Sequence, residues 1–393
     1  MSCFLNELGI VCSLGSGHGE LRGALWAADA PRGITVSEHC SPGRPLPLGW
    51  VRGPLPPVAG WPLEHRSRTN ALAAQALAAI RTAVDAAIER FGPRRVAVIV
   101  GGSTAGVPEG EAAAAWRERH GDWPNDYNYR QQEMGSTSRF LAWILGVQGP
   151  AYTVSTACSS GPKAMASAAR LLRAGVVDAV VTGGADALSR FTVAGFGSLG
   201  SLSAERSRPL SVHRDGLNLG EGAALFLMTR EPGPVRLSGW GESSDAHHMS
   251  APDPSGAGAK LAIGQALQRA GVAATAIDYV NLHGTGTPHN DAMESLAVAE
   301  LLGREVAVSS TKPLTGHALG AAGAIEAGFA WLSLLDNPRG HLPGHWWDGE
   351  YDPAIAPLRV ARPGERLGRP LRHVASNSFA FGGSNACLVL SEG

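Results

Sequence analysis

Cys158 stands where an apolar, β-prone run, Tyr152-Thr153-Val154-Ser155-Thr156-Ala157, gives way to Ser159-Ser160-Gly161 and then to a helical pattern that runs to about Ala174. A cysteine at such a junction faces the unpaired N–H groups and positive end of a helix. That field favours the thiolate, which is the nucleophile; the competing reading is a small buried core residue. His283 follows the strand-like Ile277–Leu282 and precedes Gly284-Thr285-Gly286-Thr287-Pro288, a turn too glycine-rich to be helical. The pattern predicts an imidazole presented into a crevice, against the alternative of a satisfied core histidine. His317, in Lys312-Pro313-Leu314-Thr315-Gly316-His317-Ala318-Leu319-Gly320, reads as the opening residue of a helix of small residues. The positive end of a helix dipole disfavours imidazolium, and a neutral imidazole can donate a hydrogen bond to a developing oxyanion or enolate. Lys312, five positions earlier, reads on its own as a solvated surface lysine.

The elements that must hold these side chains alternate between strand and helix. Residues 69–90 form a long alanine-rich helical pattern with Thr69 or Asn70 as its cap and Phe91-Gly92-Pro93 as its end. Residues 95–100 and 178–182 read as buried strands that stop at glycine pairs, and further strands are expected at 222–229, 235–240, 277–282, 305–309, 371–377 and 386–391. Helices are expected at 160–174, 257–270, 291–302 and 318–335. Strands alternating with helices imply an α/β fold with largely parallel sheet. Glu231-Pro232-Gly233-Pro234 is the clearest internal punctuation, and it suggests two similarly built halves, 1–232 and 233–393. Residues 30–65 and 104–135 read as long ordered loops.

The 393 residues carry 33 Lys+Arg against 34 Asp+Glu, a net charge of −1, which gives no global pull toward nucleic acid or an anionic membrane. Five scattered cysteines without a CxxC pair argue against a disulfide framework or a zinc site and fit a reducing cytoplasm. The N-terminal stretch shows no signal peptide, and no run of about 18 uninterrupted apolar residues predicts a membrane span.

Thr156-Ala157-Cys158-Ser159-Ser160-Gly161, His283-Gly284-Thr285-Gly286-Thr287 and Lys312 through Gly323, in that order, resemble the three signature motifs of the β-ketoacyl-acyl-carrier-protein synthases. The elongating type is the closer likeness. Arg208 through Gly216, Gly220-Glu221-Gly222, Ser243 through His248 and Asn377 through Asn385 are similar to the family's connecting segments, so the resemblance runs from about Leu8 to Leu390. It implies a thiolase-like, five-layer α-β-α-β-α fold with the active site between the halves. Cys158 would accept an acyl chain from a carrier-protein thioester, and His283 and His317 would stabilise the enolate formed as malonyl thioester loses CO2. Lys312 would set the local electrostatics and the position of His317. The N–H groups of Cys158 and Phe381 would form the oxyanion hole. Glu294, with Asp291 beside it, matches the family's buried acidic partner. Thr285 and Thr287 match hydroxyls that hold the phosphopantetheine arm, and Phe379 with Phe381 matches a mobile closing loop.

The resemblance further implies no metal and no bound organic cofactor, phosphopantetheine arriving on an acyl carrier protein. It implies a homodimer, or a heterodimer with a related subunit. Arg66, Arg68 and Arg206 are expected to form a docking patch for the acidic carrier protein. Three departures stand out: Ala380 replaces a usual glycine in Phe379-Ala380-Phe381-Gly382-Gly383, the 30–65 loop is idiosyncratic, and Gly344-His345-Trp346-Trp347-Asp348 replaces a more ordinary polar run. The two tryptophans read as core or as a partner contact. Cys158 through Lys163 resembles synthases of specialised pathways such as bacterial aryl polyenes. The alternatives are a thiolase, with Cys387 as its second cysteine, and a non-catalytic chain-length partner subunit, which would lack the nucleophile.

Overall fold

Alternating strand and helix patterns assemble, in the computed structural model, into one mixed sheet of 12 strands clothed by helices; residues 2–393 are described. In chain order the strands are β1 (Phe4–Cys12), β2 (Gly15–Ser16), β3 (Thr35–Ser37), β4 (Leu46–Leu48), β5 (Val96–Gly101), β6 (Ala151–Val154), β7 (Ala179–Asp186), β8 (Gly222–Thr229), β9 (Val235–Ser244), β10 (Tyr279–Asn281), β11 (Ala307–Ser309), β12 (Arg359–Val360), β13 (His373–Phe379) and β14 (Ser384–Glu392). The helices are α1 (His18–Leu25), α2 (Arg68–Phe91), α3 (Val107–His120), α4 (Ser136–Leu145), α5 (Ser160–Arg173), α6 (Arg190–Ser198), α7 (Ala257–Ala270), α8 (Pro288–Leu301), α9 (Lys312–Thr315) and α10 (Ala322–Leu334).

The sheet order, β12-β11-β10-β13-β14-β9-β1-β8-β7-β5-β6 with β2 paired to β1 off this path and β3-β4 a separate hairpin, contains one motif twice. In the first half β6, β5 and β7 run parallel, and β8 and β1 continue antiparallel. In the second, β11, β10 and β13 run parallel, and β14 and β9 continue antiparallel. Among the described residues, the two half-sheets are joined where Phe4 and Leu5 of β1 pair with Arg236 and Val235 of β9 and the Leu237 N–H donates to the Cys3 carbonyl. α2 and α4 cover the outer face of the first half-sheet, and α7 packs on β9 and β14 with α8 beside it on the second. Between them lie α5 and α10, which touch strands of both halves. The result is the five-layer α-β-α-β-α arrangement that the family resemblance implies.

The middle layer explains its own composition. Every residue of α10 is buried, as a helix walled by two sheets requires. Small residues let it approach α5: a Cβ at Gly161 would lie 2.9 Å from the Ala324 nitrogen, and one at Gly323 would lie 2.5 Å from Pro162. α2 begins where the Ser67 hydroxyl accepts the Asn70 N–H and ends at Gly92. It is long and apolar enough to cross a membrane by length and composition, yet Leu72, Leu77, Ile80 and Val84 are buried on the sheet, as in a core helix.

Three expectations need correction. The sheet is mixed rather than largely parallel, because β1, β8, β9 and β14 pair antiparallel with their neighbours. Residues 104–135 are not simply loop, because they contain α3. Ala113 is the only buried residue of that helix, so it has no apolar stripe to read and rests on the propensity of its alanine and charged residues. The single helix expected at 318–335 is broken: a 3₁₀ turn at Leu319–Ala321 precedes α10.

Candidate active site

β6 delivers Cys158 through a sharp elbow. Ala157 adopts the left-handed region at φ 52°, a conformation that costs an L-residue about 1–2 kcal/mol. The elbow is held by Ser160, whose hydroxyl donates to the Ala157 carbonyl (2.6 Å) and accepts the Thr156 N–H (2.9 Å). α5 starts two residues later, leaving Cys158 buried at the floor of a cavity of about 290 Å³.

β10 delivers His283, and Gly284 (φ 40°) turns the chain where a Cβ would strike Ser310 at 2.6 Å. His317 is placed differently from the sequence expectation. Its N–H donates to the Asn218 carbonyl (2.7 Å), its carbonyl accepts the Gly220 N–H (3.0 Å), and α10 begins only at Ala322. It therefore sits in an extended bridge rather than at a helix N-terminus. Burial, aided by nearby Lys312, and not a helix dipole, drives its pKa well below the ordinary histidine value.

The three side chains meet. His317 Nε2 lies 2.9 Å from Cys158 Sγ, and the two imidazole rings stand edge to face, 5.3 Å between centroids at 84°. His283 is also held well below its usual pKa, by burial first and then by Lys312 and His317. Both imidazoles are thus neutral. Burial pushes the Cys158 thiol up to about 11, against the opposing pull of Lys312 and of the N–H groups of Phe381 and Cys158 that point at the sulfur. The helix-end argument predicted a favoured thiolate; desolvation overrides it, and the resting pair is thiol and imidazole.

Lys312 is buried, not solvated. Its ammonium donates to Glu326 (2.5 Å), to the His283 carbonyl (2.5 Å) and to His283 Nδ1 (3.4 Å). Donation to Nδ1 leaves the proton of His283 on Nε2. Lys312 therefore acts on His283, not on the position of His317 as the resemblance implied. Glu294 is fully buried and accepts the N–H groups of His283 and Gly284, each at 2.7 Å, and the Asn377 amide at 3.1 Å. Burial raises it to about 7. Asp291 accepts the Leu210 N–H (2.8 Å) and the Gly286 N–H (3.3 Å), so the two carboxylates brace opposite ends of the His283 turn. Burial raises Asp291 as well.

Thr285 and Thr287 share a hydroxyl–hydroxyl bond of 2.9 Å and line the same cavity as Cys158, both histidines, Phe379 and Phe381. Phe381 stacks on Phe196 (5.7 Å, 21°), and left-handed Gly382 and Gly383 follow it. The Gly382 N–H donates to the Met249 carbonyl, tying the closing loop to a neighbouring one. The Cys158, His283 and His317 ligand atoms lie within 4.8 Å of one another, a spacing a cation could use; the Lys312 ammonium against His283 opposes it.

Other expectations fare less well. Arg68 forms a two-point ion pair with fully buried Glu221 and lies over the Trp50 ring at 3.6 Å. Arg66 donates to the Trp61 carbonyl (2.7 Å), and Arg206 to the carbonyls of Arg32, Ile34 and Pro313. All three guanidinium groups make bonds within the fold yet remain partly exposed. Trp346 packs on the core around α10 and Trp347 on the core beneath α7 and α8, so both are packing residues. Cys387 is fully buried in β14 and does not line the cavity that holds Cys158 and both histidines, which removes the second cysteine that a thiolase needs.

Sequence reasoning missed Glu326, Phe196 and Asn218. Glu326 had a signal, a lone acid in the apolar run Ala322–Leu334. Asn218, whose carbonyl anchors His317 and whose side chain accepts the Ser207 N–H (2.8 Å), had none.

Comparison with known proteins carries the same pattern. Residues 62–232 match the Beta-ketoacyl synthase N-terminal domain and residues 235–338 the Beta-ketoacyl synthase C-terminal domain. The ketosynthase ApeO from Xenorhabdus doucetiae, solved in complex with its chain length factor ApeC, superposes with a TM-score of 0.91 at 42% identity, covering 100% of this chain and 98% of that one. A beta-ketoacyl synthase from Burkholderia phymatum gives 0.86 at 30%, covering 100% of this chain and 99% of that one. The 3-oxoacyl-[acyl-carrier-protein] synthase 2 of Rhizobium meliloti is 39% identical over 266 residues, 62% of this chain and 61% of that enzyme. The curated relatives are thus matched over less than two thirds of their length. With matched family domains on both sides of Glu231–Pro234, and the repeated half-sheets converging on Cys158, His283 and His317, the chain belongs to the β-ketoacyl synthase family.

Proposed function

We propose that the protein catalyses decarboxylative Claisen condensation of a Cys158-bound acyl chain with a malonyl-acyl-carrier protein, giving a β-ketoacyl-carrier protein and CO2. The 2.9 Å contact between Cys158 Sγ and His317 Nε2 carries the reading. The Cys158 sulfur attacks an acyl thioester while its proton passes by way of His317 to the departing phosphopantetheine thiol. The oxyanion rests on the N–H groups of Cys158 and Phe381. A malonyl thioester then enters, its carbonyl oxygen accepting from His283 Nε2–H and from His317 once that ring carries its proton on Nε2. The bond to the carboxylate breaks, its electron pair becomes the enolate, and CO2 leaves. The enolate carbon attacks the acyl carbonyl on Cys158, the thiolate is expelled, and it takes a proton from solvent by way of His317. Glu294 and Asp291 hold the His283 turn, Thr285 and Thr287 hold the pantetheine arm, and Phe379 and Phe381 close the tunnel.

Cys158→Ala tests the reading directly. Condensation is expected to fall on the order of 10³-fold or more, and intact-mass analysis with acyl-carrier protein is expected to find no acyl adduct. Acylation persisting at another cysteine overturns it.

The partners follow from the same reading. β6 is one of the sheet's two edge strands, it pairs with β5 alone among the described residues, and Ala151 and Tyr152 on it are exposed. A related subunit adding a strand there would complete the sheet. The likeness to ApeO supports a heterodimer with a chain-length-factor type of partner, within the aryl-polyene-type pathway suggested by the sequence around Cys158. The reaction needs no resident cofactor, because phosphopantetheine arrives on the carrier protein. Five free, buried cysteines support a cytoplasmic site of action. The division into halves 1–232 and 233–393 is proposed as the unit of this architecture.

A further inference from the structure

His345 is fully buried in the segment that departs most from the family's usual polar run, and nothing in the reaction as written uses it. Its two ring nitrogens are both engaged. Nδ1 accepts the Ser310 N–H at 2.9 Å, and Nε2 donates to the Pro209 carbonyl at 2.9 Å. Trp347 stands edge-on to the ring (5.2 Å, 86°) and limits its rotation. Ser310 occupies the turn between β11 and α9, two residues before Lys312. Its hydroxyl donates to the Gly284 carbonyl (2.6 Å) and accepts the Lys312 N–H (3.3 Å). One serine therefore touches both catalytic turns, and one imidazole holds that serine. At its other end His345 holds Pro209, and the next residue, left-handed Leu210, bonds Asp291.

We propose that His345 is a positioning residue for decarboxylation, fixing through Ser310 the relative placement of Lys312 and the His283-Gly284 turn. This rests on the condensing reading above. Burial pushes His345 down to about 4, so the ring remains a neutral acceptor for Ser310 across the working pH range. Cys158 and the Phe381 N–H are held by other segments, and His317 is anchored on Asn218 and Gly220, so the acylation step depends less on this link than decarboxylation does.

The test compares two substitutions. His345→Asn keeps an oxygen acceptor close to the Nδ1 position and loses the Pro209 bond; His345→Leu loses both. CO2 release from malonyl-carrier protein and acylation of Cys158 are measured separately in single turnovers. Misplacement of a catalytic group by about 1 Å can cost on the order of 10²-fold. His345→Leu is expected to slow CO2 release at least about 10-fold, and His345→Asn no more than about 3-fold. Acylation is expected to stay within about 2-fold of wild type in both. Equal CO2 release by the two variants overturns the inference, as does a loss in His345→Leu that acylation shares. Should His345→Leu not fold, Ser310→Ala, which leaves His345 in place, decides: a selective loss of decarboxylation supports the link, and unchanged decarboxylation overturns it. A wild-type protein that acylates and condenses but responds to none of these changes sinks only this inference; a wild-type protein that releases no CO2 sinks the condensing reading and this one with it.

Discussion

Cys158 keeps its proton at rest because burial outweighs Lys312 and the two N–H groups aimed at the sulfur. The structure separates the two histidines by what they touch, and their substitution is expected to separate two steps. His283→Ala is expected to lower malonyl decarboxylation by about 10²- to 10³-fold while sparing acylation of Cys158. His317→Ala is expected to impair both, since its Nε2 lies on the sulfur. Rapid-quench acyl transfer and CO2 release, measured apart, check this; full decarboxylation without either imidazole would remove both from the mechanism. The buried histidines also set an acid limit. A histidine whose folded pKa lies below its unfolded value gives stability that is intact above about pH 6.5 and is lost as pH falls, because the unfolded chain takes up protons that the folded chain refuses. For His345, held at about 4, the loss by pH 5 is about 2 kcal/mol. His283 and His317 act in the same direction. Glu294, raised to about 7, acts oppositely, binding its proton more tightly when folded. Tm is expected to fall from pH 7 to pH 5, and His345→Asn is expected to flatten that fall. An identical slope in the two proteins would show that His345 does not carry it.

Three short turns bring the site together, and each contains a residue under backbone strain or a glycine that avoids it. Ala157 precedes Cys158 at φ 52°, Leu319 follows His317 at φ 52°, and Gly284 follows His283 at φ 40°. Strain of this kind gathers where surrounding structure holds a functional group in place. The closing loop has more freedom, with Gly382 and Gly383 as its hinge and Phe381 stacked on Phe196. Phe381→Ala is expected to make Cys158 alkylate several-fold faster in the unacylated enzyme, and Ala380→Gly to act in the same direction but less. Kinetics with a small alkylating agent checks this, and structures with and without an acyl group on Cys158 that share one Phe381 rotamer would refute the gate. At this scale the sequence was informative where chemistry is local. A strand, a glycine turn and a reactive side chain in one run of ten residues announced Cys158 and His283. Lys312 was legible only through its motif, since its partners Glu326 and His283 lie 14 and 29 residues away in sequence. Ser310 and His345 carry no local signal, because their role comes from a 35-residue separation closed by the fold. The helix-end reading of His317 failed because Leu319 turns left-handed and delays α10.

On the scale of the molecule, the sequence showed alternating elements and a punctuated middle, which is enough for the class of fold. The join between half-sheets was invisible in it, since two residue pairs of β1 and β9 and the Leu237–Cys3 backbone bond make that seam among the described residues. The free edge at β6 carries the prediction about assembly. Tyr152 is 37% exposed, with Met134 at 41% and Trp143 at 45%. Tyr152→Glu places a charge on that edge and is expected to convert the assembled species to single subunits while Cys158 still alkylates normally. Size-exclusion chromatography with light scattering reads the change; an undisturbed assembly would move the interface elsewhere.

The shared middle layer also governs how the chain must be made. β7 and β8 of the first half-sheet are covered by α10, which lies far downstream, and β14 of the second is covered in part by α5, which lies far upstream. During synthesis the part of the first half-sheet's inner face that α5 does not cover, chiefly on β8 and β1, therefore leaves the ribosome bare. It stays so until residues 322–334 have been added. A nascent chain exposing that much apolar strand is open to aggregation. The same interlocking that places Cys158 opposite His283 and His317 leaves part of the newborn chain's apolar strand surface uncovered until α10 has emerged.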